Sequence, residues 1–163
     1  MLTSLTRKYN TDGRRSAFTL IELVIVIFII SLTTALIVPN LWETGKRGLR
    51  SEAKRIASTL RYVNDEAAGK KQTYTLRVNI GEGSWGYESE NETRSFKVKK
   101  DIVFRDIIIP SLGMITTGEA ALSFGPLGPE EPITLHLSRD KFEYTVIFNH
   151  LNGRAKVYEG YRT

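Results

Sequence analysis

The 163-residue chain contains no cysteine. Disulfides, thiolate nucleophiles and cysteine-ligated metals are therefore excluded. Histidine is nearly absent as well, with only His136 and His150. Neither shows metal-ligand spacing or stands beside a nucleophile motif, so no metal site and no catalytic residue is read here. Both are expected to be partly exposed strand residues. No G-x-x-x-x-G-K-[ST] sequence occurs, so any ATP-driven work falls to a partner. The expectation is a non-enzyme without cofactor.

The chain has no excess of acids: net charge is +5. The imbalance is local. Residues 1–17 hold Arg7, Lys8, Arg14 and Arg15 against Asp12, while the remainder holds 19 bases and 17 acids. A basic N-terminal segment is not a nucleic-acid signature, and a nucleic-acid partner is not expected. The one literal phosphate-loop string, Gly81-Glu82-Gly83-Ser84-Trp85-Gly86, is followed by the acidic stretch Tyr87–Glu92 and not by an apolar-periodic helix. It reads as a hairpin turn, since a dinucleotide site needs a strand–loop–helix unit.

What the chain does have is one long apolar run, Phe18–Val38, 21 residues with the single acid Glu22 near its start. As a helix it would reach about 31 Å, enough to cross a bilayer core. A cleaved secretory signal has a shorter apolar region followed directly by a small-residue cleavage site. Here the small residues Ser31, Thr33, Thr34 and Ala35 are followed by more apolar ones. The bases lie on the N-terminal side, which places the N-terminus in the cytoplasm and the region after Pro39 outside, in the periplasm of a two-membrane cell. A carboxylate within such a span costs roughly 2.5–3.5 kcal/mol at mid-bilayer and less near an edge, so Glu22 calls for a partner. Pro39 lacks an N–H and disfavours helix at Val38, so a helix break is expected there.

Beyond Pro39 a helical period resumes through Leu49, Ala53, Ile56, Ala57, Leu60, Val63 and Ala67, with Lys46, Arg50, Lys54 and Arg61 on the other positions. Gly69 is the expected stop. From Thr73 the period becomes two: Tyr74, Leu76, Val78 and Ile80 alternate with polar residues. Further strands are expected at 84–89, 94–99, 102–108, 120–125, 132–137, 141–148 and 154–159, with a loop at 111–119 and a turn-rich break at Gly125–Pro129. The fold class is α+β: a long N-terminal helix packed on antiparallel β-sheet. The organisation expected is a basic leader at 1–17, a transmembrane helix at 18–38, an amphipathic helix at 39–70 and a β domain at 71–163.

The string Arg14-Arg15-Ser16-Ala17-Phe18-Thr19-Leu20-Ile21-Glu22 resembles the processing site of type IV pilins and type II secretion pseudopilins. The resemblance implies a leader cut by a prepilin peptidase, a new N-terminal Phe that is N-methylated, and Glu as the fifth mature residue. Counted from Phe18, Glu22 is fifth and Pro39 is twenty-second. The family normally has Gly before the cut, and here it is Ala17. Cutting at Gly13, the nearest upstream glycine, would remove the acid from its place, so cleavage is expected between Ala17 and Phe18. In a filament the Phe18 amine of the same or an incoming subunit would pair with Glu22. The pair would then fix axial register, as buried polar groups do in coiled coils.

The C-terminal pattern is looser. Ser123–Gly128, Ile133–Leu135 and Val146–Val157 resemble the second half of H-type minor pseudopilins and of the related FimT- and FimU-like minor pilins. The resemblance implies a structural subunit of the type II secretion pseudopilus. It would be held in the inner membrane and then in the periplasmic filament, with other minor and major pseudopilins, the prepilin peptidase and the inner-membrane secretion platform as partners. The alternative it implies is a minor pilin of a type IV pilus that primes assembly or binds DNA. For that role Gly153-Arg154-Ala155-Lys156 at an Asn-Gly hairpin supplies the candidate phosphate contacts, Arg154 and Lys156.

Overall fold

The computed structural model describes residues 19–163, without the side chains of 35–44. The chain divides into two compact units, Met1–Asn40 and Leu41–Thr163. Helix α1 covers Leu20–Lys70, 51 residues. The backbone stays helical through Pro39, so the helix break expected there is corrected: a proline forfeits one i to i−4 hydrogen bond but does not have to end a helix.

In the second unit α1 buries one stripe. Leu49, Ala53, Ile56, Leu60, Val63 and Ala67 are all buried, and burying each Leu, Ile or Val contributes about 1.5–3 kcal/mol. Two glycines, Gly45 and Gly48, sit in this helical stretch at a propensity cost of about 1 kcal/mol each. Gly48 makes room for Arg139, since an added Cβ would lie 3.0 Å from its Nη1; at Gly45 an added Cβ would make ordinary contact, 3.6 Å from its Nε. The helix stops later than Gly69. Lys71 takes the left-handed conformation (φ 52°), and Gln72 N–H donates to the Ala67 carbonyl at 3.2 Å. This is a Schellman-type cap with lysine where glycine is usual.

Nine strands follow, forming two antiparallel sheets. They are β1 (Tyr74–Asn79), β2 (Ser84–Glu88), β3 (Thr93–Lys97), β4 (Val103–Ile109), β5 (Gly113–Ile115), β6 (Glu119–Phe124), β7 (Ile133–Arg139), β8 (Phe142–Asn149) and β9 (Arg154–Glu159). The first sheet has the order β3-β2-β1-β6 and the second β5-β4-β7-β8-β9. The loop expected at 111–119 holds the three-residue strand β5, too short to carry a period of its own.

The Gly81–Gly86 string is the β1–β2 hairpin, as its context required. Asn79 Oδ1 accepts from Glu82 N–H at 3.0 Å, and Gly83 has φ 62°. Gly86 is fixed by space alone: a Cβ there would meet the Arg94 carbonyl oxygen of β3 at 2.1 Å.

Both sheets turn their apolar residues inward. Tyr74, Leu76 and Val78 of β1, Leu135 and Leu137 of β7, and Val146 and Phe148 of β8 are buried with the helix stripe in one core cluster. Phe124 and Phe148 meet edge to face at 5.5 Å. A register shift between Phe104 and Asp106 resets the alternation of β4, so that Phe104 pairs with Leu137 while Asp106 pairs with His136.

Candidate assembly site

The first site is the start of α1. Every described side chain from Thr19 to Thr34 is exposed, including Leu20 at 80% and Phe28 at 66%. Two hydroxyls in this stretch are turned back on the helix. Thr33 Oγ1 donates to the Ile29 and Ile30 carbonyls at 2.9 Å each, and Thr34 Oγ1 to the Ile30 carbonyl at 2.7 Å. The helix thus presents apolar surface on every face, the pattern of a segment buried all round in an assembly or a membrane. Among the described residues, no helix is long and apolar enough to cross a membrane. Side chains of the 18–38 run are described only up to Thr34.

Glu22 is the only charged residue in that stretch. Its backbone N–H donates to Thr19 Oγ1 at 3.3 Å, so Thr19 caps the helix and Glu22 takes the third helical position, where a carboxylate also favours the dipole. No partner for the Glu22 carboxylate occurs among the described residues. Ala17 and Phe18, the expected cleavage pair, and the leader at 1–17 lie outside them, as does the Pro39 side chain.

The second site is the β8–β9 hairpin. β8 ends at Asn149 and β9 begins at Arg154, so four residues turn the corner. The hairpin expected around Asn152-Gly153 is present, with a four-residue connection. Asn149 Oδ1 accepts from Leu151 N–H at 2.9 Å, Asn152 Oδ1 accepts from Arg154 N–H at 3.0 Å, and Gly153 takes φ 64°. Arg154 and Lys156 are exposed and two residues apart, so they share one face of β9. Glu159 does not oppose them. It pairs with Lys46 at 2.6 Å, and that hydrogen bond raises the lysine above its usual pKa. Arg162 stacks over Tyr158, its guanidinium carbon 4.6 Å from the ring centre.

The third arrangement was not read from sequence. His136 is not partly exposed; it is buried at 1%. Its Nδ1 lies 2.5 Å from Asp106 Oδ1, and its Nε2 donates to the Arg162 carbonyl at 2.7 Å. Tyr161 stacks on the ring at 3.8 Å, and burial together with Asp106 raises the Tyr161 phenol pKa. Thr145 Oγ1 donates to the Gly160 carbonyl at 2.6 Å and accepts from Arg162 N–H at 3.0 Å. Asp106, His136, Thr145 and Tyr158 form one cross-strand row on the face of the second sheet away from the core, and residues 160–162 cover it. The row is a structural clasp: Asp106, His136 and Thr145 find hydrogen-bond partners inside the fold. His150, the other histidine, lies in the hairpin turn and not in a strand.

Comparison with known proteins agrees with this geometry. Residues 12–38 match the prokaryotic N-terminal methylation motif. Two structures of the minor pseudopilin EpsH from the type II secretion system of Vibrio cholerae resemble the fold, both at 16% identity. One covers 72% of this chain and 99% of its own with a TM-score of 0.57. The other covers 68% and 96% with a TM-score of 0.52. A structure of the type IV minor pilin FimU from Pseudomonas aeruginosa reaches a TM-score of 0.49 at 12% identity, over 71% of this chain and 91% of its own. A comparison with curated protein sequences finds no match. The chain thus joins an N-terminal methylation motif to a fold similar to that of the EpsH minor pseudopilin.

Proposed function

We propose that this chain is a minor pseudopilin of a type II secretion system, a structural subunit and not an enzyme. The observation that carries the reading is the start of α1. It is apolar and exposed on every face, holds one carboxylate, lies within the methylation motif and leads into a pseudopilin-like fold. In this reading a prepilin peptidase removes 1–17 by cutting between Ala17 and Phe18, and the Phe18 amine is methylated. The helix at 18–38 anchors the protein in the inner membrane with 39–163 in the periplasm, then enters the filament core. There Glu22 pairs with a Phe18 amine and sets register against the other pseudopilins. The pseudopilus then moves folded proteins toward the outer membrane.

Intact mass of the protein purified from membranes tests the processing. A chain beginning at methylated Phe18 is expected. One beginning at Met1 or Arg14 contradicts the reading. The reading as a type IV pilus minor pilin draws on Arg154 and Lys156, which share an exposed face without a paired acid. Cross-linking in cells separates the two: secretion-platform and pseudopilin partners support the first, and pilus or competence partners the second.

A further inference from the structure

The open edge of the second sheet lies beside a basic stripe of α1. β9 pairs with β8 on one side only. Gly160 N–H donates to the Glu143 carbonyl at 2.8 Å, which fixes the phase of the ladder. In that phase the even residues 154, 156 and 158 turn both backbone groups toward β8. Ala155, Val157 and Glu159 turn theirs to the open edge. Along this edge runs a groove of about 510 Å³ with Ala155 and Val157 on one wall and Ser51, Lys54, Ser58 and Arg61 of α1 on the other.

Bases outnumber acids around the edge. Lys54 and Arg61 flank it on the helix side, and Arg154 and Lys156 stand on the other face of β9. None of the four has a carboxylate partner among the described residues, and Glu159 is engaged by Lys46. Two copies of so basic an edge repel each other, which is how natural sheets avoid pairing with themselves. The same charges attract a strand of opposite sign.

We propose that the β9 edge is a docking site for an extended acidic segment of a partner protein, which adds to the second sheet as a sixth strand. Its backbone would pair with Ala155, Val157 and Glu159, as in β-strand addition. Its outward carboxylates would lie beside Arg154 and Lys156, and those facing the groove beside Lys54 and Arg61. An edge with alternating free donors and acceptors over an apolar floor fits a peptide backbone better than a nucleic-acid duplex, which needs cations and no such ladder.

The test uses the full chain in detergent micelles and a capped octapeptide of alternating valine and glutamate. Binding is read by fluorescence anisotropy and backbone engagement by amide hydrogen exchange. The expected result is saturable binding with new protection confined to the amides of Ala155, Val157 and Glu159. The double variant Arg154→Glu/Lys156→Glu should weaken binding by about tenfold or more, from two lost and inverted charge contacts. The same peptide with proline at its third and fifth positions keeps all its carboxylates but cannot complete the ladder, and it should bind at least about tenfold more weakly. Equal binding of the two peptides, protection elsewhere, or no binding at millimolar peptide overturns the proposal. So does a short DNA duplex that binds more tightly than the octapeptide at physiological salt.

Discussion

Helix α1 carries two surfaces under opposite rules. From Leu49 to Ala67 its apolar residues form one stripe, buried at 2% exposure or less, and its charged residues take the other positions. From Leu20 to Leu32 its apolar residues lie on every face, at 42–80% exposure. The first surface is completed within the chain by two β-sheets. The second is completed by nothing among the described residues; under the proposed function a bilayer or other subunits would cover it. In the proposed function one helix serves folding with one half and assembly with the other, and substitutions in its two halves should separate in the same way.

The largest effect is expected in the clasp of the second sheet. His136→Ala leaves Asp106 buried without its partner and removes the ring on which Tyr161 stacks. It should cost about 3–5 kcal/mol in chemical denaturation of the purified protein, with no direct effect on the anchor. A cost below about 1 kcal/mol would mean that the C-terminal residues do not hold this row together.

Next in size is the direct contrast between the two halves of α1. Ile56→Ala opens a cavity in the core and should destabilise by about 2–5 kcal/mol. Ile27→Ala, at 55% exposure, should change domain stability by less than about 0.5 kcal/mol and act on assembly instead. Equal costs at both positions, measured in the same denaturant series, would break the comparison.

The smallest effect sharpens the end of the helix. Lys71→Gly removes the cost of a left-handed lysine and should raise stability by about 0.5–1 kcal/mol. Gly69, which has open space around it, should accept Ala with no loss.

Much of this architecture was legible because it is written in short-range periods. The alternation Tyr74-Leu76-Val78 marked β1, the spacing from Leu49 to Ala67 marked the buried stripe, and acidic residues after Gly86 kept the glycine string a turn. What stayed hidden depends on contacts distant in sequence or on compensations. Asp106 meets His136 only because the bulge in β4 re-aims it, and residues 160–162 bury the pair from more than 20 positions away. Helix through Pro39 and a lysine cap at Lys71 both run against local preference, so propensity placed the break and the stop elsewhere. The open edge of β9 follows from strand order, which no local pattern contains.

The central claim is that the apolar start of α1 acts in assembly and not in folding, with Glu22 as its register mark. The direct measurement is Glu22→Leu at native expression, scored twice: for incorporation into filament complexes by co-purification, and for the thermal unfolding midpoint of the Leu41–Thr163 unit. The account predicts that incorporation falls sharply while the midpoint stays within about 2 °C, since surface substitutions outside a fold change its stability by less than about 0.5 kcal/mol. Normal incorporation, or a lowered midpoint, would contradict it.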